Sequence, residues 1–126
     1  MSEPDRTAAG APARRVRIRE DLGKDPVIRD FLARIGPARS RIRRMVLFGS
    51  RARGTHQLDS DYDLLLVVAK KDAALLDALY EAVMDVLLAH GRLVSLKMYE
   101  EREFARLRAL HTPFMKHIET EGIPVG

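Results

Sequence analysis

The chain has 126 residues, no cysteine, and only three tyrosines and four phenylalanines. Without thiols it can form no disulfide, zinc–thiolate site or cysteine nucleophile, and a cytoplasmic location is the expectation. So few aromatic rings leave little on which a single-stranded RNA could stack, which makes an RNA-binding module the weakest of the readings considered below. There is no apolar run long enough for a membrane-spanning helix and no hydrophobic secretory segment at the N-terminus, so no membrane partner is expected.

What is present in quantity is charge, unevenly spread. The net charge is +4, and five arginines against Glu3 and Asp5 put +3 of it in residues 1–19, leaving +1 for residues 20–126. Residues 1–23 are rich in Ala, Pro and Arg with little apolar periodicity and read as a flexible tail; residues 24–126 read as one domain. A basic group also precedes the first apolar run, at Arg39, Arg41, Arg43 and Arg44. With Arg51 and Arg53 it forms a candidate electrostatic funnel for ATP or an RNA partner.

The densest local signal is Gly49-Ser50-Arg51-Ala52-Arg53-Gly54, followed after six residues by Asp61-Tyr62-Asp63. Met45-Val46-Leu47-Phe48 reads as a buried strand that delivers Gly49 to a sheet edge, where the lack of a Cβ lets a ligand approach the backbone. Ser50 adds a hydroxyl and an N–H that can meet the same anion, a chemistry suited to phosphate. Asp61 and Asp63 lie two apart at the entry to Leu64-Leu65-Leu66-Val67-Val68. In an extended segment both carboxylates project from one face and Tyr62 from the other. Paired hard oxygen ligands suit Mg²⁺, which completes its shell with waters and substrate phosphates.

Gly49-Ser50, the ten residues Arg51 to Ser60, and Asp61-Tyr62-Asp63 together resemble the motif of the nucleotidyltransferase superfamily with the DNA polymerase β-like fold. The run Arg51-Ala52-Arg53-Gly54 with Asp59-Ser60 is similar to the minimal nucleotidyltransferases, small antitoxin-like proteins often encoded beside HEPN-type toxins. The resemblance implies an α/β (α+β) fold with a small mixed β-sheet and flanking helices. It implies ATP as substrate and Mg²⁺ as cofactor, with AMP transferred to a hydroxyl of a protein partner. It assigns Asp61, Asp63 and Ser50 to catalysis, Asp61 and Asp63 to the metal, and Gly49, Ser50, Arg51 and Arg53 to the nucleotide. The family's third carboxylate stands on a later strand, and here Ser95 occupies that place, with Lys97 on the same face. Two further readings therefore stay open beside the enzyme: a degenerate nucleotidyltransferase-fold protein that neutralises a toxin without chemistry, and the RNA module. Homo- and hetero-oligomers are equally open.

The remaining chain alternates. Asp25-Pro26 opens a helix that Gly36-Pro37 stops, a short helical segment is expected over Ala38 to Arg44, and a long helix runs from Asp72 to Gly91 with Leu75, Leu76, Leu79, Val83, Val86 and Leu87 inward. A third strand over Arg92 to Tyr99, a helix over Glu100 to Leu110 and a last helix from Thr112-Pro113 to Gly122 complete the order α-β-α-β-α-β-α. The spacing of His111 and His117 fits no common metal pair, and His56 reads as an exposed loop residue.

Overall fold

A computed structural model describes residues 24–57 and 60–126. The expected tail over residues 1–23 lies outside the described residues, as does Asp59. The domain is a four-stranded mixed sheet with helices on both faces. In chain order the elements are α1 (Pro26–Ile35), a 3₁₀ segment (Gly36–Arg41), β1 (Ile42–Phe48), α2 (Ser50–Arg53) and β2 (Tyr62–Val68). There follow α3 (Ala73–His90), β3 (Val94–Glu100), α4 (Glu101–Leu110), α5 (Pro113–Glu121) and β4 (Ile123–Pro124). The sheet order is β3-β2-β1-β4, with β1 antiparallel to both β2 and β4, and β2 parallel to β3.

The central strand β2 shows why the apolar run needed no alternation. Leu64, Leu66 and Val68 face α1 and α3, while Leu65 and Val67 face Phe104, Met115 and Ile118 of α4 and α5. Both faces are covered, so every position from Leu64 to Val68 is buried. Capping supports the helix assignments. Asp25 accepts from the N–H groups of Val27 and Ile28, Asp72 from Leu75, and Thr112 from Met115, and Gly91 closes α3 in the left-handed conformation. Glu100 and Glu103 form a reciprocal capping box at the start of α4.

Three expectations change. Ala38 to Arg44 is not one helical segment: a 3₁₀ turn ends at Arg41, and Ile42, Arg43 and Arg44 already belong to β1. The strand slips register between Ile42 and Arg44, and Arg44 spreads its guanidinium 5.3 Å from the Phe104 ring centroid, so cationic residues stand where an apolar pattern would have marked the strand. Within α3, Leu76 and Leu87 are only half-buried and Ala82 takes a core position instead. Finally, Ile123 and Pro124 add a short edge strand beside Leu47 and Val46 that had no signal beyond Gly122.

One carboxylate joins α1 to the sheet. Oδ1 of Asp25 caps α1, while Oδ2 accepts the Tyr62 hydroxyl at 2.7 Å from the first residue of β2. Burial, with that hydrogen bond, pushes the Tyr62 phenol well above its ordinary range. Tyr62→Phe removes the bond while leaving the cap and the ring. It is expected to cost about 0.5–1.5 kcal/mol, read as a lower urea midpoint at unchanged slope; an unshifted midpoint would mean that the bond contributes nothing.

Candidate functional site

β1 and β2 bring the two halves of the motif into contact. Phe48 pairs with Asp63, so Gly49, one residue beyond, stands beside the Asp63 carboxylate. Gly49 has φ 76° and ψ −158°, a region open essentially to glycine alone. A Cβ built there would lie 2.5 Å from Asp63 Oδ2. The backbone conformation thus demands glycine, and a Cβ would also force the Asp63 carboxylate to shift. The chain then turns at once into α2, closed by the Arg53 N–H on the Gly49 carbonyl and the Thr55 N–H on the Ser50 carbonyl. Gly54 ends that helix in the left-handed conformation.

Strand alternation sorts the neighbouring side chains. Asp61, exposed, and Asp63, half-buried, share the face that β2 turns toward α4 and α5. In the parallel pair, Asp63 lies opposite Ser95 and Leu65 opposite Lys97. Ser95 therefore stands beside Asp63 on the adjacent strand, with Lys97 one step farther along the same face. The Lys97 ammonium lies 6.0 Å from the Phe114 ring centroid, and Phe114 meets Phe48 edge-on with centroids 5.5 Å apart. These two rings flank the carboxylate side, and nothing in the sequence pattern distinguished them from ordinary core residues.

The electrostatics of Asp63 combine opposing causes. Burial, reinforced by the neighbouring Asp61 charge, pushes its carboxyl above the ordinary aspartate range, while Lys97 and Arg53 pull it back. Asp61, Asp63, Lys97 and Arg53 thus form one charge cluster. Among the described residues no group of three or more His, Asp or Glu is placed to hold a metal ion. The donor set is the two aspartates, which matches the one or two carboxylates that Mg²⁺ takes from a protein when phosphate supplies other ligands.

Arg51 is placed differently. It is 8% exposed, its Nε and Nη2 donate to the Ser60 carbonyl at 3.0 and 2.9 Å, and its guanidinium lies 3.8 Å from the Tyr62 ring centroid. Tyr62 points away from the Asp61–Asp63 face, so Arg51 fastens the loop before Asp61 from the opposite side of β2. Of the motif's two arginines, it is Arg53 that acts on Asp63. The Asp25–Tyr62–Arg51 buttress was not legible beforehand, because Asp25 signalled only a helix cap. Ser50 is half-buried at the start of α2, and His56 is exposed. His90 and His117 engage Asp30 and Glu121 at 2.8 Å each. The cavity of about 430 Å³ lined by Arg44, Phe104, Arg108 and Glu119 includes none of the motif residues.

A family model described as the nucleotidyltransferase domain matches residues 26–121. No curated protein matches the chain significantly. Among solved structures, the chain is similar to a toxin-antitoxin crystallised with AMP-PNP, at 22% identity over 78% of this chain and 68% of that one, with a TM-score of 0.45. It is similar to a Sulfolobus solfataricus protein at 18% identity, over 86% and 83% of the two chains, with a TM-score of 0.44. A mutant of the toxin-antitoxin MntA-HpeT gives 18% identity, coverage of 75% and 65%, and a TM-score of 0.44.

Two outcomes follow from the Gly49–Asp63 contact. Gly49→Ala forces a side chain into a glycine-only conformation, which costs of order 1–3 kcal/mol, and also drives Asp63 aside. Chemical denaturation is expected to show the loss; an alanine variant as stable as the parent would overturn the geometry. Asp63→Asn tests the charge. A raised carboxyl holds its proton more tightly in the folded chain, so stability falls as pH rises from the ordinary aspartate range through the raised folded value. The asparagine variant is expected to melt higher than the parent at neutral pH and to lose that slope. Parallel pH profiles for the two proteins would show that Asp63 carries no such burden.

Proposed function

The chain belongs to the nucleotidyltransferase domain family, and on that premise we propose that it is a Mg²⁺-dependent transferase that moves AMP from ATP to a hydroxyl of a protein partner. The observation that carries this reading is the contact between Gly49 and Asp63, which sets a bare backbone turn directly against the carboxylate pair. Gly49 admits the phosphates, and the Ser50 hydroxyl donates to one of them. Asp61 and Asp63 hold the metal. When bound, Mg²⁺ neutralises phosphate charge and orients the group in transfer. Arg53 and Lys97 share in the charge of the leaving pyrophosphate, while Arg51 keeps the loop before Asp61 in place. The adenylyl group and a HEPN-type toxin as partner rest on the resemblance of Gly49 to Asp63 to the minimal nucleotidyltransferases, and the cytoplasmic setting on the lack of cysteine. The acceptor hydroxyl belongs to the partner.

Ser95 favours a second reading. It stands in register with Asp63, where an Asp would supply a third anionic ligand or a general base, and at neutral pH its hydroxyl is neither an anion nor a general base. The alternative is a chain that binds nucleotide and toxin without transfer.

The test has two arms. Thermal stability is expected to rise more with Mg²⁺ and ATP together than with either alone, and a combined Asp61→Asn, Asp63→Asn variant is expected to lose that increment. An equal increment in the variant would remove these carboxylates from the site. Mass spectrometry of a co-expressed toxin then separates the readings: added AMP that disappears with the double variant supports the enzyme, and an unmodified toxin held in a complex supports the binder.

A further inference from the structure

Helix α3 is apolar well beyond the face it buries. Leu75, Leu79, Ala82, Val83 and Val86 fill the core against the sheet and α1. Around the helix from them, Leu76, Tyr80, Met84 and Leu88 recur every four residues, so they line one stripe over three turns. Tyr80 is 49% exposed, Met84 52% and Leu88 80%. An amphipathic helix with a single buried face would carry polar residues there.

The stripe has a charged border. Each of its first three residues is followed by an acid: Leu76 by Asp77, Tyr80 by Glu81, and Met84 by Asp85. Asp85 turns to Arg34 of α1 at 3.6 Å. Asp77 and Glu81 are exposed and make no ion pair among the described residues. We propose that this stripe is a docking surface for an amphipathic helix of a partner protein, one that carries an apolar seam and a row of Lys or Arg along one flank.

Charge selects this occupant over a second copy of the chain. Two copies of α3 packed antiparallel about a two-fold axis would set the same patch against itself, and with it one acidic border against the other. A basic flank instead meets Asp77 and Glu81 with opposite sign. The site geometry is compatible, because α3 covers the sheet face opposite the one from which Asp61 and Asp63 project. A helix seated on the stripe leaves the carboxylates open. The inference rests on the protein-partner part of the proposed function and needs none of its chemistry.

The experiment uses the full chain and two synthetic amphipathic helices matched in length to α3, identical in their leucine seam, one flanked by lysines and the other by glutamates. Fluorescence anisotropy is expected to show the lysine peptide binding about tenfold or more tighter than the glutamate peptide. Met84→Gln combined with Leu88→Gln is expected to weaken it by about tenfold, the scale set by losing buried apolar anchors. Glu81→Lys is expected to narrow the preference between the two peptides, and the Asp61→Asn, Asp63→Asn variant to bind as the parent does. That last result keeps the surface separate from the transfer reading. Equal binding of both peptides, or binding unaffected by the double glutamine variant, overturns the proposal. So does a concentration-dependent dimer in sedimentation that the double glutamine variant abolishes, which would give the stripe to a second copy.

Discussion

The constraint on which the motif's geometry depends is the approach of the Gly49 backbone to the Asp63 carboxylate, where a methyl group would sit 2.5 Å from an oxygen. That approach requires β1 and β2 to pair with Phe48 opposite Asp63, because any other register would put a different residue against the turn. It also requires the backbone at Gly49 to leave the strand with positive φ, which starts α2 within one residue. The loop from α2 must then return Asp61 to the same strand end. Arg51 accomplishes this from behind, through two hydrogen bonds to the Ser60 carbonyl and its stacking on Tyr62. A buried guanidinium satisfied by a carbonyl and an aromatic ring costs less than one left without partners.

The sheet divides the work between its faces. Toward α1 and α3 it is apolar, with the Tyr62 hydroxyl on Asp25 as a polar anchor. Toward α4 and α5 the apolar part stops short: Val46, Leu65 and Val67 pack under those helices, the strand ends beyond them carry Asp61, Asp63 and Ser95, and Lys97 stands level with Leu65 on β3. The charged and hydroxyl side chains of the candidate site gather on this face. The rigidity of β2, buried from Leu64 to Val68, fixes the carboxylate nearest its start without help from a flexible loop.

How much of this was legible depended on whether a residue's role showed in its local pattern. Asp25-Pro26, Gly36-Pro37, Gly91 and Thr112-Pro113 punctuate helices through backbone chemistry that acts over a few residues, and each boundary stands where that chemistry puts it. The resemblance to the family motif implied that Ser95 stands in the third-carboxylate place, and the register of β2 and β3 sets it opposite Asp63, while period-two alternation separates Tyr62 from its flanking aspartates. Arg43 and Arg44 concealed the start of β1, because a register slip and an aromatic contact let a strand carry two consecutive cations. Arg51 is the sharper case. Its place in the motif suggested phosphate, but its side chain runs behind β2, and only its hydrogen bonds to the Ser60 carbonyl and its stacking on Tyr62 reveal that.

The balance of charge around Asp63 bears on how the proposed chemistry would start. Two aspartates side by side repel, and burial adds to the cost of charging the inner one; Lys97 and Arg53 offset part of that cost. A third carboxylate at position 95 would deepen the negative potential. Serine there keeps the potential shallower, and the nearby cations oppose a metal ion that arrives alone. On the proposed reading, a metal carrying triphosphate would bring its own anions toward Lys97 and Arg53 while Asp61 and Asp63 would hold the ion. On the proposed reading, the substitution that weakens the case for base catalysis also couples metal binding to nucleotide binding. The site then becomes a detector of the complete metal–nucleotide complex, whether or not transfer follows.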